Sequence, residues 1–123
     1  MKTRPESLEG KTLKAKTDCG SFFLTLNKLD GELFEVRAEL GKGGNCVKNL
    51  LHLVAVLYSV LLQSDIDKKE LIKIIRKHCE GVSCGNAFPI NGVIYKSCVD
   101  WMAQQLLREL KDEKAEAKTT EKK

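Results

Sequence analysis

Hydrophobic and polar positions alternate with period two through the first third of the chain, and then the period changes. Between Thr12 and Thr17, Leu13 and Ala15 stand against Lys14 and Lys16, a short strand with one wet face. Asp18-Cys19-Gly20 reads as a turn. Ser21 to Asn27 puts Phe22, Leu24 and Leu26 on one face and Phe23 and Thr25 on the other. Asp30-Gly31 is a strong hairpin signal, followed by Phe34, Val36, Ala38 and Leu40 alternating with Glu35, Arg37 and Glu39. The expectation is three antiparallel strands in a meander.

After a loop from Gly41 to Asn45 the stretch from Val47 to Gln63 is apolar nearly all round, interrupted only by Lys48, Asn49, His52 and Ser59. Such a helix is expected to be buried and needs partners on several sides. The sheet covers one side, and a later helix or a second subunit must cover the rest, so a homo-oligomer is expected, with a dimer favoured. Asp67 and Glu70 open a second helix with Leu71, Ile74 and Ile75 on one face, ending near Gly81. Residues 82–97 carry Gly85, Pro89 and Asn91-Gly92, a long connection with room for a small hairpin. Asp100 to Leu110 returns to helical spacing, and the charged stretch after it extends that helix. The resulting fold class is α+β, a three-stranded sheet with three helices packed on it. Residues 1–10 are expected to form a flexible arm, 11–110 a single domain and 111–123 a charged tail.

Composition adds limits. Hydrophobic residues make up 42% and charged residues 31% of the 123 positions, ordinary globular values. The net charge of +4 is mild and does not argue for nucleic acid as a partner. No apolar segment with a cleavage signature follows the first residues, and the apolar run from Leu50 to Leu62 falls short of a membrane span. A cytoplasmic protein without a membrane partner is expected. Five cysteines, an odd number, argue for thiols or metal ligands rather than a disulfide framework.

Three groups of residues carry candidate chemistry. A strand, then Gly41-Lys42-Gly43-Gly44-Asn45, then a helix start is an arrangement in which backbone N–H groups receive phosphate, with Lys42 as an added cation. Lys42, Gly43, Gly44 and Asn45 are therefore candidate ligand contacts, with Asn86, Asn91 and Tyr95 of the later connection as walls. The spacing matches neither the Walker loop nor the dinucleotide fingerprint, and a tight strand-to-helix turn capped by Asn45 is the simpler reading of these residues alone. Cys19, Cys46, Cys84 and Cys98 lie at element junctions, where a four-thiolate zinc or iron–sulfur site can be assembled, although no C-x-x-C pair is present and buried inert thiols are the simpler reading. Cys46 and Cys98, near helix N-termini, are expected to have lowered thiol pKa values. His78 beside Cys79 cannot form a dyad on one helix, and His52 reads as a core or interface histidine. Glu35, Glu39, Asp65 and Asp67 read as solvated faces and a cap, and no catalytic residues are assigned.

The segments "KTLKAKTDCGSFFLTLN", "FEVRAELGKGGNC", "GVSC" and "SCVD" in this order resemble the TSCPD domain. That domain is the small cysteine-bearing module near the C-terminal end of adenosylcobalamin-dependent ribonucleotide reductases, and it also exists as free-standing proteins. The name-giving motif stands here as Lys96-Ser97-Cys98-Val99-Asp100. The resemblance implies that Cys19, Cys46, Cys84 and Cys98 approach one another, with Cys79 an extra. It does not imply reductase activity or cobalamin, whose site needs several hundred further residues. Free-standing copies are similar in lifestyle to small phage proteins that sequester host nucleotide signals. The expected function is thus a non-catalytic binding module for a nucleotide or other phosphorylated ligand. The alternatives are a four-cysteine metal or thiol redox module, or an adaptor of a ribonucleotide reductase system.

Overall fold

The structure is a computed structural model, and its described residues are 3–17, 19–41 and 45–121, with side chains for all of these except 45 and 112–121. Strands β1 (Glu9–Thr17), β2 (Gly20–Leu29) and β3 (Glu32–Leu40) form an antiparallel sheet in the order β1-β2-β3. The β2–β3 turn is Asp30-Gly31, both at positive φ (53° and 80°), the left-handed pair that matches the twist of a two-residue hairpin. β1 begins at Glu9, three residues before the alternation becomes legible. Gly10 explains part of this, because a Cβ there would lie 2.1 Å from Asn27 Oδ1 and 2.5 Å from Leu26 O, so only glycine lets the strands approach.

Register confirms the expected faces. Ala15 pairs with Phe22 and Leu13 with Leu24, while Phe22, Leu24 and Leu26 pair with Leu40, Ala38 and Val36. All of these side chains lie on the inner face. The alternation fails once, at a register shift between Asn27 and Lys28, after which Leu33, Phe34, Glu35 and Val36 are all buried.

Helix α1 (Asn45–Gln63) runs beside β3, the edge strand. Ser59 Oγ donates to Val36 O (3.0 Å) and accepts from Val36 N (2.9 Å), so a helix side chain occupies ladder positions that a fourth strand would otherwise take. Helix α2 (Lys68–His78) is capped by Asp67, whose side chain accepts from Lys69 N at 3.2 Å. Glu70 pairs with Lys73 rather than closing a capping box. Strands β4 (Phe88–Ile90) and β5 (Val93–Tyr95) form the expected small hairpin around Asn91-Gly92, at φ 50° and 82°. Helix α3 (Cys98–Glu121) closes the core. Its Trp101 meets Phe22 edge to face at 5.3 Å, and Met102, Ala103 and Leu106 are fully buried.

The helix expected to be buried is corrected by the structure. Leu51, Ala55 and Tyr58 of α1 enter the core, but Leu50, Leu53 and Leu57 are 61%, 51% and 55% exposed. The reason is position: beside a sheet edge a helix touches protein along one stripe, whereas α3 lies across the face of the sheet. α1 is long and apolar enough to cross a membrane by length and composition, yet its inner stripe is hydrogen-bonded to β3.

Candidate functional site

The glycine loop falls mostly outside the described residues, since Lys42, Gly43 and Gly44 and the side chain of Asn45 are not among them. Its entrance is described. Gly41 N donates to Ser21 O at 2.8 Å, and a Cβ on Gly41 would lie 3.7 Å from the Phe23 ring. Gly41 therefore lies beside Phe23. The later connection does not turn its candidates toward one place. Asn86 is exposed, Asn91 is the left-handed turn residue of the β4–β5 hairpin, and Tyr95 is buried against Phe88 with ring centroids 6.1 Å apart.

The cysteines divide. Cys98 is buried at the start of α3, where its thiol donates to Thr17 Oγ1 at 3.5 Å and feels the neighbouring Cys19 and Cys84 thiols. Cys84 is exposed and points at the carbonyls of Lys96 (3.6 Å) and Asn86 (3.9 Å). Cys46 is exposed in the first turn of α1, and Cys79 caps the end of α2. Among the described residues no group of three or more His, Cys, Asp or Glu is arranged to hold a metal ion. The expectation of a lowered pKa at Cys98 is corrected: burial pushes this thiol up, the Thr17 hydroxyl opposes it, and the Cys19 thiol adds to the rise. Removing a thiolate from water disfavours its charged form. Histidines 52 and 78 are both exposed.

The Ser97-Cys98-Val99-Asp100 segment does structural work. Ser97 Oγ accepts from Asp100 N at 3.0 Å and donates to Val82 O at 2.5 Å. Asp100 Oδ1 accepts from Gly81 N (2.7 Å) and Gln104 Nε2 (3.2 Å), and Oδ2 from Lys96 N (2.9 Å). The motif is a helix cap whose carboxylate ties both ends of the 81–97 connection to α3. Burial raises the Asp100 carboxyl, but the bonds from Lys96, Gly81 and Gln104 outweigh it and hold it below the usual carboxylate range.

The outer face of the sheet carries the cations. Arg4, Lys14, Lys16 and Arg37 stand there with Glu35 and Glu39. Glu35 was expected on a solvated face; instead it is buried, because Arg4 Nε (2.6 Å), Asn27 Nδ2 (2.9 Å) and Arg37 Nε (3.3 Å) converge on it. The Arg4 hydrogen bond is the main reason that its carboxyl is held below the usual range, against the opposing effect of burial. Above this anchor lies a hollow of about 360 Å³ lined by Arg4, Thr12, Phe23, Thr25, Asn27, Arg37 and Glu39. The Phe23 ring is half-buried, and Lys14 Nζ lies 5.6 Å from its centroid. Thr12 and Thr25 share a hydrogen bond of 2.9 Å on the same face. The sequence signal for this site was Phe23, an aromatic residue on the polar side of the alternation, with Lys14 opposite it on β1 and Glu39 opposite it on β3.

A larger hollow, about 650 Å³, lies at the other end of β1 and β2. Its cations, Lys11 and Lys28, both pair with the buried Glu109 of α3, the Lys28 distance being 3.0 Å. Burial raises the Glu109 carboxyl, and the two lysines more than reverse that. With no aromatic lining, this arrangement reads as an anchor joining α3 to the sheet.

A search of curated proteins and a search of solved structures gave no match. The family model described as "TSCPD domain" matches residues 1–110, nearly the whole described core. The ordered strand–cysteine, glycine-loop, Gly-Val-Ser-Cys and Ser-Cys-Val-Asp segments, the last of them now seen as the cap of α3, are thus those of a known family, and the chain belongs to the TSCPD domain family.

Proposed function

We propose that this chain is a non-catalytic binding module for a nucleotide or related phosphorylated small molecule, received on the outer face of the sheet beside Phe23 and Gly41. The observation that carries the reading is the Phe23 ring. It lies on a polar face with Lys14 beside it and the guanidinium groups of Arg4 and Arg37 lining the same hollow. An aromatic ring offers a base a stacking surface that any nucleobase can use, and planar guanidinium groups suit phosphate oxygens. The volume is within the range of small-molecule sites. Gly41, the last described residue before the glycine-rich stretch, lies beside Phe23.

Calorimetry with nucleoside mono-, di- and triphosphates and with inorganic phosphate tests this. Phe23→Ala is expected to weaken nucleotide binding by roughly 5- to 100-fold, the value of one base–aromatic stack, and to leave inorganic phosphate unaffected. Arg37→Ala should weaken both. Nucleotide binding that survives Phe23→Ala but is lost in Lys42→Ala would move the site to the loop mouth, and no heat with any nucleotide at millimolar concentration would end the reading.

A second reading is a thiol or metal module: the Cys19 and Cys84 thiols act on Cys98, although no three described cysteines are placed to share a metal ion. Elemental analysis and an absorption spectrum of anaerobically purified protein decide it, since a closed zinc or iron–sulfur site requires stoichiometric metal.

A further inference from the structure

In a single protomer α1 turns much of its apolar surface outward. Leu50, Leu53, Leu57 and Val60 are exposed and follow one another at spacings of three and four residues; Cys46, four before, and Ser64, four after, continue the series. This is the seam spacing of paired helices. Val47 and Val56 are exposed beside it, and Val54 and Leu61 are only partly covered. None of these apolar positions carries a charge. The helix cannot roll to hide them. Leu51, Ala55 and Tyr58 are locked into the core on the opposite side, and Ser59 is hydrogen-bonded to both backbone groups of Val36.

The ends of α1 give a direction. Its first turn holds no acid and its last turn no base. Lys48 instead lies near its positive end, and Asp65 and Asp67 follow its negative end. The acids are unfavourable for the helix dipole in one copy and come near the positive end of the partner helix when two copies run in opposite directions. The area also suffices: the six exposed Leu and Val side chains present about 500 Å² per protomer, so a pair covers about 1,000 Å² before flanking residues are counted, the threshold for a specific interface.

We propose that two copies of this chain pair through α1, antiparallel, about a two-fold axis passing between Leu53 and Leu57. Leu53 then meets the partner's Leu57, Leu50 meets the partner's Val60, and Cys46 faces the partner's Ser64. The contact is isologous and closes at two subunits. It does not depend on the ligand reading, since α1 flanks the edge of the sheet and leaves its outer face open.

Light scattering on the full chain is expected to give twice the monomer mass of 13.8 kDa at micromolar concentration. Leu53→Glu with Leu57→Glu should raise the dissociation constant at least ~100-fold, because a charge would be buried unpaired in the pair, and should leave the circular dichroism of the monomer unchanged because both side chains are exposed there. Orientation is read by oxidation with copper phenanthroline in a Cys84→Ser background, which removes the other exposed thiol. Ser64→Cys is expected to yield a covalent dimer through Cys46, and the same variant with Cys46→Ser is expected to yield none. A wild-type chain that stays monomeric at 100-fold higher concentration, or a glutamate double variant that still dimerises, overturns the proposal. A Cys46–Cys46 crosslink without Ser64→Cys overturns the antiparallel geometry. A monomer that floats with phosphatidylcholine–phosphatidylglycerol vesicles overturns it in favour of a lipid surface.

Discussion

Helices α1 and α3 are the two longest in the chain, at 19 and 24 residues, and their composition runs opposite to their burial. α1 is the more apolar and the more exposed. α3 carries Asp100, Gln105 and Glu109 among its buried residues and still closes the core. The difference lies in what each helix touches. α3 crosses the apolar face of the sheet and meets α2 as well, so even its polar side chains are enclosed, and they are tolerated because partners reach them: Asp100 by backbone N–H groups, Glu109 by two lysines. α1 flanks an edge, where a sheet offers backbone groups and little side-chain surface, so one stripe suffices to dock it. Its remaining apolar surface is available for a second copy. Burial in this fold therefore follows location relative to the sheet and not hydrophobicity alone.

Cavity-forming substitutions break this comparison most strongly. Leu106→Ala in α3 should cost about 2–5 kcal/mol in denaturant unfolding of dilute protein, the usual range for a fully buried leucine. Leu50→Ala in α1 should cost well under about 1 kcal/mol under the same dilute conditions, because most of that side chain is already in water. Equal losses would show that α1 is covered within one chain. Next in size is the cap. Asp100→Ala leaves the N–H groups of Gly81 and Lys96 without their acceptor, and a loss of roughly 2–3 kcal/mol is expected, with Asp100→Asn intermediate. The smallest effect is on pH. Glu35, Asp100 and Glu109 all have carboxyl pKa values below their ordinary ones in the folded chain. Each then contributes stability above the unfolded value of about 4, and that contribution is lost as pH falls through the lower folded value. Thermal midpoints should stay flat from neutral pH to about 5 and drop below about 4. Glu109→Gln should flatten part of the drop, and an unchanged acid limb would show that the Lys11 and Lys28 pairing contributes nothing.

The strands, the Asp30-Gly31 and Asn91-Gly92 turns and the Asp67 cap were legible because each depends on residues a few positions apart. The bulge after Asn27 was not, since it is set by pairing between strands, and neither was the burial of Glu35, on which Arg4 and Asn27 converge from other parts of the chain. The role of Asp100 was hidden for the same reason: its partners, Gly81 and Lys96, come from both ends of a long connection. Among the candidate site residues, the grouping of Cys19, Cys46, Cys84 and Cys98 was expected from the family resemblance and not from spacing; in the fold the Cys19 and Cys84 thiols act on Cys98, while Cys46 stands exposed in the first turn of α1. Tyr95 looked like a pocket wall and is a core residue, because the hairpin that carries it folds its ring onto Phe88.

Local order along the chain was enough to determine the three-stranded meander, the positions of the helices and the family. Short-range periodicity and turn chemistry act within a few residues, and the family pattern is itself an order of such segments. Only the tertiary structure decided which apolar helix is enclosed, which carboxylates are buried, and that Cys98 is desolvated rather than activated. Those outcomes depend on what arrives from distant parts of the chain to replace water, and neither hydrophobicity nor spacing records that.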